Sequence, residues 1–195
     1  MKKLILASSS PYRSALLQRL NLSFDALSPD IDETPRKNES PEELVSRLAS
    51  EKALVIAKDF DHAVVIGSDQ VAAVNNTILT KPGNMNNALS QLMACSGNTV
   101  TFYTSLCVVD TQSNTQLNVV EPFTVGFRKL TEQQIMRYLQ IEKPFDCAGS
   151  FKAEGMGITL FTHLSGRDPN SLIGLPLIAL TSFLQQLGLD PLGDR

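Results

Sequence analysis

The chain has 195 residues, 43% hydrophobic and 19% charged, with a formal net charge of −3. That is ordinary globular composition, with length enough for one domain and a substantial core. The mildly acidic balance argues against a nucleic acid polymer or an anionic membrane as partner, yet leaves room for a nucleotide, which needs only a local cluster of cations.

The first element is an apolar run, Leu4 to Ala7, that reads as a buried strand. It turns through Ser8-Ser9-Ser10 into a helix that starts at Pro11. Ser10 suits the N-cap and Pro11 the first helical position. Unpaired N–H groups and the helix dipole make such a start a seat for anions. Arg13 opposes the dipole in the first turn, and a bound phosphate would account for it; an ordinary Ser-Pro helix start is the alternative.

Ser23 to Leu27 reads as a short strand, and 28–35 as a polar acidic loop with Asp30, Asp32 and Glu33. Ser40-Pro41-Glu42-Glu43 is a capping box that opens a helix with Leu44, Leu48 and Val55 at helical spacing. Ala63 to Gly67 reads as a strand buried on both faces. Helix signals return over 86–95. Two β segments, 100–109 and 117–127, joined by a polar turn at 110–114, predict an antiparallel hairpin. Thr131 caps a helix over 132–140, and an apolar helix over 176–187 ends at Gly188.

Against this pattern some residues stand out. Asp69 follows a buried strand at the end where open α/β sheets bind ligands, or else Ser68-Asp69 is a polar turn. At ~100° per residue Lys52 falls between Val45 and Leu48 inside an apolar stripe, so it either snorkels to solvent or meets a negative partner. The acidic loop suits Mg²⁺, or is simply solvated. Lys81 is held in the turn Thr80-Lys81-Pro82-Gly83. Together, cations for a polyphosphate and carboxylates for a metal or water are the ingredients of phosphoanhydride hydrolysis. Neither GxxxxGK[ST] nor GxGxxG occurs.

Cys95, Cys107 and Cys147 are far apart and odd in number, which predicts reduced thiols without a disulfide framework or thiolate zinc site. His62 and His163 have no partner at metal-ligand spacing. No apolar segment approaches ~20 residues, and the short run behind Met1-Lys2-Lys3 does not make a secretory leader. A cytoplasmic protein of one domain, 1–195, is expected.

Ser8-Ser9-Ser10-Pro11-Tyr12-Arg13, Asp32-Glu33, Glu51-Lys52-Ala53, Gly67-Ser68-Asp69-Gln70 and Lys81-Pro82 occur in the order seen in Maf-like nucleotide pyrophosphatases. Ala148-Gly149-Ser150-Phe151-Lys152-Ala153-Glu154-Gly155 and Gly174-Leu175-Pro176 extend the resemblance over nearly the whole chain. It implies an α/β fold like that of inosine-triphosphate pyrophosphatases: an elongated mixed sheet, flanking helices and a central cleft between two lobes. It implies hydrolysis of a nucleoside triphosphate between the α and β phosphates, with a divalent cation, Mg²⁺ or Mn²⁺, in a cytoplasmic homodimer that clears modified nucleotides. By position, Asp69 would accept the proton of water and share the metal with Glu33. Ser8, Ser9, Arg13, Lys52 and Lys81 would hold phosphates.

Three positions separate the branches of this family. The branch acting on dTTP and UTP has arginine, threonine and glutamine where this chain has Tyr12, Gln70 and Glu154. The chain instead resembles the YceF-like branch, which acts on 7-methyl-GTP and commonly has tryptophan at the Tyr12 position. N7-methylguanine carries positive charge, which an aromatic face attracts, an arginine repels and the Glu154 carboxylate favours. Glu154 could also accept hydrogen bonds from guanine N1–H and its N2 amino group. A dTTP/UTP pyrophosphatase and a nucleotide-binding regulator of septum formation with little catalysis are the alternatives. Arg167-Asp168-Pro169-Asn170, just before Gly174, is expected in the cleft wall.

Overall fold

A computed structural model describes residues 2–75 and 77–193; the outer bounds expected for the domain, 1 and 195, lie outside them. A seven-stranded mixed sheet is its spine. The strands are β1 (Lys3–Ala7), β2 (Asp25–Leu27), β3 (Ala63–Val74), β4 (Thr77–Leu79), β5 (Thr99–Asp110), β6 (Thr115–Phe127) and β7 (Phe161–Gly166). Their order is β2-β1-β3-β5-β6-β7, and β4 also pairs with β3. The helices are α1 (Pro11–Gln18), α2 (Pro41–Ala57), α3 (Met85–Cys95), α4 (Glu132–Glu142), α5 (Pro169–Ile173) and α6 (Leu177–Gln186), with short 3₁₀ turns at Ala148–Ser150 and Met156–Leu160. No helix among the described residues is long and apolar enough to cross a membrane.

The helix starts follow from their caps. Ser10, Ser40 and Thr131 each accept a bond from the backbone N–H three residues on, and Ser40 and Thr131 complete capping boxes with Glu43 and Gln134. The predicted hairpin is β5–β6, in register from Thr99↔Gly126 to Asp110↔Thr115.

Three long strands, β3, β5 and β6, run through hydrophobic cores at both ends of the sheet and tie them together. At one end, Leu4, Leu6, Val64, Ile66, Leu106 and Val108 pack beneath Leu16, Leu17, Leu180 and Leu184 of α1 and α6. On the opposite face Ile5, Ala7, Val65 and Cys107 pack against Ala49 and Ala53 of α2. At the other end, Ala72, Val74, Val100, Phe102, Phe123 and Val125 pack with α3, α4 and an aromatic group around Phe151. Between the cores the same strands turn polar: Ser68, Asp69 and Gln70 on β3, Thr104 and Ser105 on β5, and Glu121 on β6. This polar waist separates the two lobes.

Asp69 does not sit at a strand end as the sequence pattern suggests. β3 continues to Val74, held by antiparallel pairing to β5 from Val64 to Ala73. What ends is the neighbour. On the other edge of β3, parallel β1 pairs as far as Ile66 and antiparallel β4 begins at Ala72. The edge between is left uncovered, and the cleft opens at this gap.

Candidate active site

The gap explains why the functional side chains meet. β1 stops at Ala7, so Ser8 to Ser10 peel away on one side; β4 ends at Leu79, so Thr80 and Lys81 leave on the other. β3 supplies the floor. Side chains alternate along a strand, so Gly67 and Asp69 point to one face and Ser68 to the other. On the first face lies α2. A Cβ on Gly67 would come within 2.2 Å of the Ala49 carbonyl oxygen, so glycine lets the helix approach the strand and bring Lys52 over Asp69. On the second face Ser68 Oγ donates to the Gly174 carbonyl at 2.9 Å.

Lys52 is the centre of the charge cluster. Its Nζ lies 2.6 Å from Asp69 Oδ1 and 2.7 Å from Glu33 Oε1. Lys52 is only 5% exposed and Asp69 7%, so this is a buried pair, with Glu33 reaching in from the solvent side. The apolar-stripe misfit therefore takes the second of its two readings: the lysine has a negative partner. For the Glu33 carboxyl, partial burial acts upward, but the bond to Lys52 and the charges of Lys52, Lys81 and Arg13 outweigh it and hold it below the ordinary carboxylate range.

Arg13 is anchored by α1 and by Gly174. Its Nε donates to the Gly174 carbonyl at 2.9 Å, and Nη1 lies 3.4 Å from Ser8 Oγ. Burial lowers its guanidinium from the ordinary value, while the charges of Asp69 and Glu33 act the other way. Ser8 Oγ also accepts from the Ser10 N–H at 3.1 Å, which folds the serine turn back toward the cleft. Gly174 has φ 127°, a backbone state that a side chain would strain, and this turn aims one carbonyl at both Arg13 and Ser68.

Ser8, Ser9, Tyr12, Arg13, Glu33, Lys52, Asp69, Gln70, Lys81 and Glu154 all line one cavity of about 620 Å³. Ser9, Lys81 and Glu154 are exposed there, and the Gln70 amide is tied down by the Thr104 hydroxyl and the Ser171 and Leu172 carbonyls, its Nε2 lying 2.7–3.1 Å from each. Ser28, Pro29 and Pro35 of the acidic loop also line the cavity, but the loop's other two acids do not. Asp30 and Asp32 are not part of the lining; Asp32 turns back to accept from the Thr34 N–H at 2.9 Å. Nor do Arg167 to Asn170 form the wall. Arg167 pairs with Glu121, and buried Asp168 caps α5 and accepts from the Ile178 N–H, tying α5 to α6. The wall expected there is made instead by Leu172, Ile173 and Gly174.

Sequence reasoning passed over Asp146 and read Cys147 only as a reduced thiol, yet both line the cavity. They lie in an irregular connection, where no periodicity marks a side chain as inward. Burial pushes the thiols of Cys95 and Cys147 to about 12 and that of Cys107 to about 11, so none is poised as a nucleophile.

Residues 3–187 match the family described as Maf-like protein. A protein of Nitrosococcus oceani named 7-methyl-GTP pyrophosphatase is 58% identical, over 95% of this chain and 93% of its own length. Proteins of the same name from Colwellia psychrerythraea and Idiomarina loihiensis are 50% and 53% identical, over 100% and 97% of this chain and 98% and 96% of theirs. The solved structure of the Staphylococcus aureus Ham1 protein covers 95% of this chain, and all of its own, with a TM-score of 0.56 at 15% identity, which is a likeness of fold. The carboxylate–lysine–carboxylate cluster in a gap of a mixed sheet is thus carried by a chain that belongs to the Maf-like protein family.

Proposed function

We infer that the chain is a nucleoside triphosphate pyrophosphatase that hydrolyses 7-methyl-GTP to 7-methyl-GMP and diphosphate. The observation that carries the chemistry is the convergence on one cavity of Arg13, Lys52 and Lys81 with the carboxylates of Asp69 and Glu33. The name shared by the close relatives supports the choice of substrate.

The reaction needs water to be activated and negative charge to be spread. Lys52 engages Asp69 Oδ1 and leaves Oδ2 to accept a proton from water. Water adds to one phosphorus of the α–β anhydride and gives its proton to Asp69, the bond from that phosphorus to the bridging oxygen breaks, and 7-methyl-GMP and diphosphate separate. Arg13, Lys81 and the serine turn hold the phosphate oxygens, in a site preorganised by Gly174 and the end of β1. No cysteine or serine nucleophile is required.

Asp69 and Glu33 also fit a divalent cation. Both are hard anionic oxygen donors on one cavity, and Lys52 Nζ engages only one oxygen of each, which leaves the second oxygen of each carboxylate for an ion. Among the described residues no group of three or more His, Cys, Asp or Glu is gathered for a metal, so water and substrate phosphate would supply the remaining oxygens, which suits Mg²⁺ or Mn²⁺. Such an ion would neutralise charge on the phosphates. Clearance of modified nucleotides by a cytoplasmic homodimer completes the reading and rests on the family resemblance.

Diphosphate release from a panel of 7-methyl-GTP, GTP, dTTP and UTP, with Mg²⁺ present, tests the substrate. 7-Methyl-GTP is expected to give the highest kcat/KM. Equal or faster turnover of dTTP or UTP would assign the chain to the pyrimidine branch, and tight binding without release would make it a regulator.

A further inference from the structure

Phosphate chemistry accounts for the cations of the cleft but not for one contact across it. Tyr12 stands in the first turn of α1, whereas Asp146 and Cys147 follow α4 in the other lobe. The Tyr12 hydroxyl donates to Asp146 Oδ2 at 3.2 Å, and the Cys147 Sγ lies 3.5 Å from Asp146 Oδ1 and 3.9 Å from Tyr12 Oη. Burial, then the neighbouring Cys147 and Asp146, push the Tyr12 phenol above its ordinary range, so it stays a donor. For Asp146, burial acts upward, but hydrogen bonds from its own backbone, Cys147 and Tyr12, and the charge of Lys152, hold the carboxyl down, so it stays an anion.

A phenol that donates to a carboxylate pushes electron density into its ring, which deepens the negative face that attracts cations. The carboxylate adds its own field at short range. Guanine methylated at N7 is positively charged, and ordinary guanine and the pyrimidines are not.

We propose that Tyr12 and Asp146 form one cation-recognising unit at the base end of the cleft, an aromatic face backed by a carboxylate, which selects N7-methylated guanine over neutral bases. The inference rests on the 7-methyl-GTP reading and adds Asp146 to its specificity residues. Asp146 is exposed, so the carboxylate contributes at the scale of a solvent-screened charge, ~3- to 10-fold in affinity.

The test is equilibrium binding of 7-methyl-GMP and GMP, which need no turnover, to wild type, Tyr12→Phe, Asp146→Asn and the double variant. Wild type is expected to bind 7-methyl-GMP more tightly. Each single variant should shrink that preference ~3- to 10-fold, and the double variant no further than the more damaging single, because the two side chains act as one unit. Thermal unfolding checks that each variant is folded. Equal affinity of wild type for both nucleotides, a preference untouched by either variant, or losses shared equally by GMP each overturns the proposal. Failure of the hydrolysis reading shows separately, as absence of diphosphate release from 7-methyl-GTP.

Discussion

Lys52 holds two carboxylates on one ammonium, and the consequences are local and measurable. Removing it leaves Asp69 buried without its ion-pair partner and close to Glu33. Breaking a buried pair in this way costs about 3 kcal/mol. Lys52→Met is therefore expected to lower the unfolding free energy measured in urea by that order and to abolish turnover, while Lys52→Met with Asp69→Asn should lose less stability than the sum of the two single changes. Unchanged stability of Lys52→Met would mean that the pair contributes nothing. The sign of the pH dependence follows from Glu33. Its folded carboxyl lies below its unfolded value, so its contribution is fully present above the ordinary carboxylate range and is lost only as pH falls through the lowered value. At this scale the sequence was informative: Lys52 broke a helical stripe and Arg13 opposed a dipole. Asp146 broke no pattern, because a loop has no periodicity to break.

β3 shows what an element's sequence hides. Its apolar run stops at Gly67, and Ser68-Asp69-Gln70 resembles a turn, yet the strand runs on to Val74. The pairing with β5 overrides the local polarity, and the polar residues serve the cleft where β1 has ended. Such an override depends on a partner about 40 residues away and cannot be read from the strand itself. β7 escaped notice for a related reason. All of it beyond Phe161 is exposed, so no buried alternation marks it. Gly67 is the residue on which the element depends. Gly67→Ala forces α2 away from β3, an overpacking expected to cost about 3 kcal/mol and to lower kcat by drawing Lys52 from Asp69. Urea unfolding and steady-state kinetics check both, and wild-type values for the two would show that the close approach does not position Lys52.

Over the whole molecule, hydrophobic cores at both ends of one continuous sheet leave a polar waist, and the gap between β1 and β4 turns that waist into a cleft. The capped helices and the β5–β6 hairpin, both local features, were legible in sequence, and the residues that gather at the site were found by their misfit and by family resemblance. The edge gap was not legible, since it depends on β1 and β4 sharing one edge of β3 while leaving its middle bare. The cleft-wall role expected of Arg167 to Asn170 failed for the same reason: proximity in sequence to Gly174 does not fix a side of the sheet. The charge layout of the cleft leads to one central claim, that water is activated at Asp69 to cut the α–β anhydride without a covalent intermediate. The most direct measurement is hydrolysis of 7-methyl-GTP in ¹⁸O-water by wild type and by Asp69→Asn, with the products identified by mass. Wild type should yield 7-methyl-GMP and diphosphate with a single ¹⁸O in one of them after one turnover, and folded Asp69→Asn should be slower by at least ~100-fold. Release of orthophosphate, or near wild-type turnover in Asp69→Asn, would contradict it.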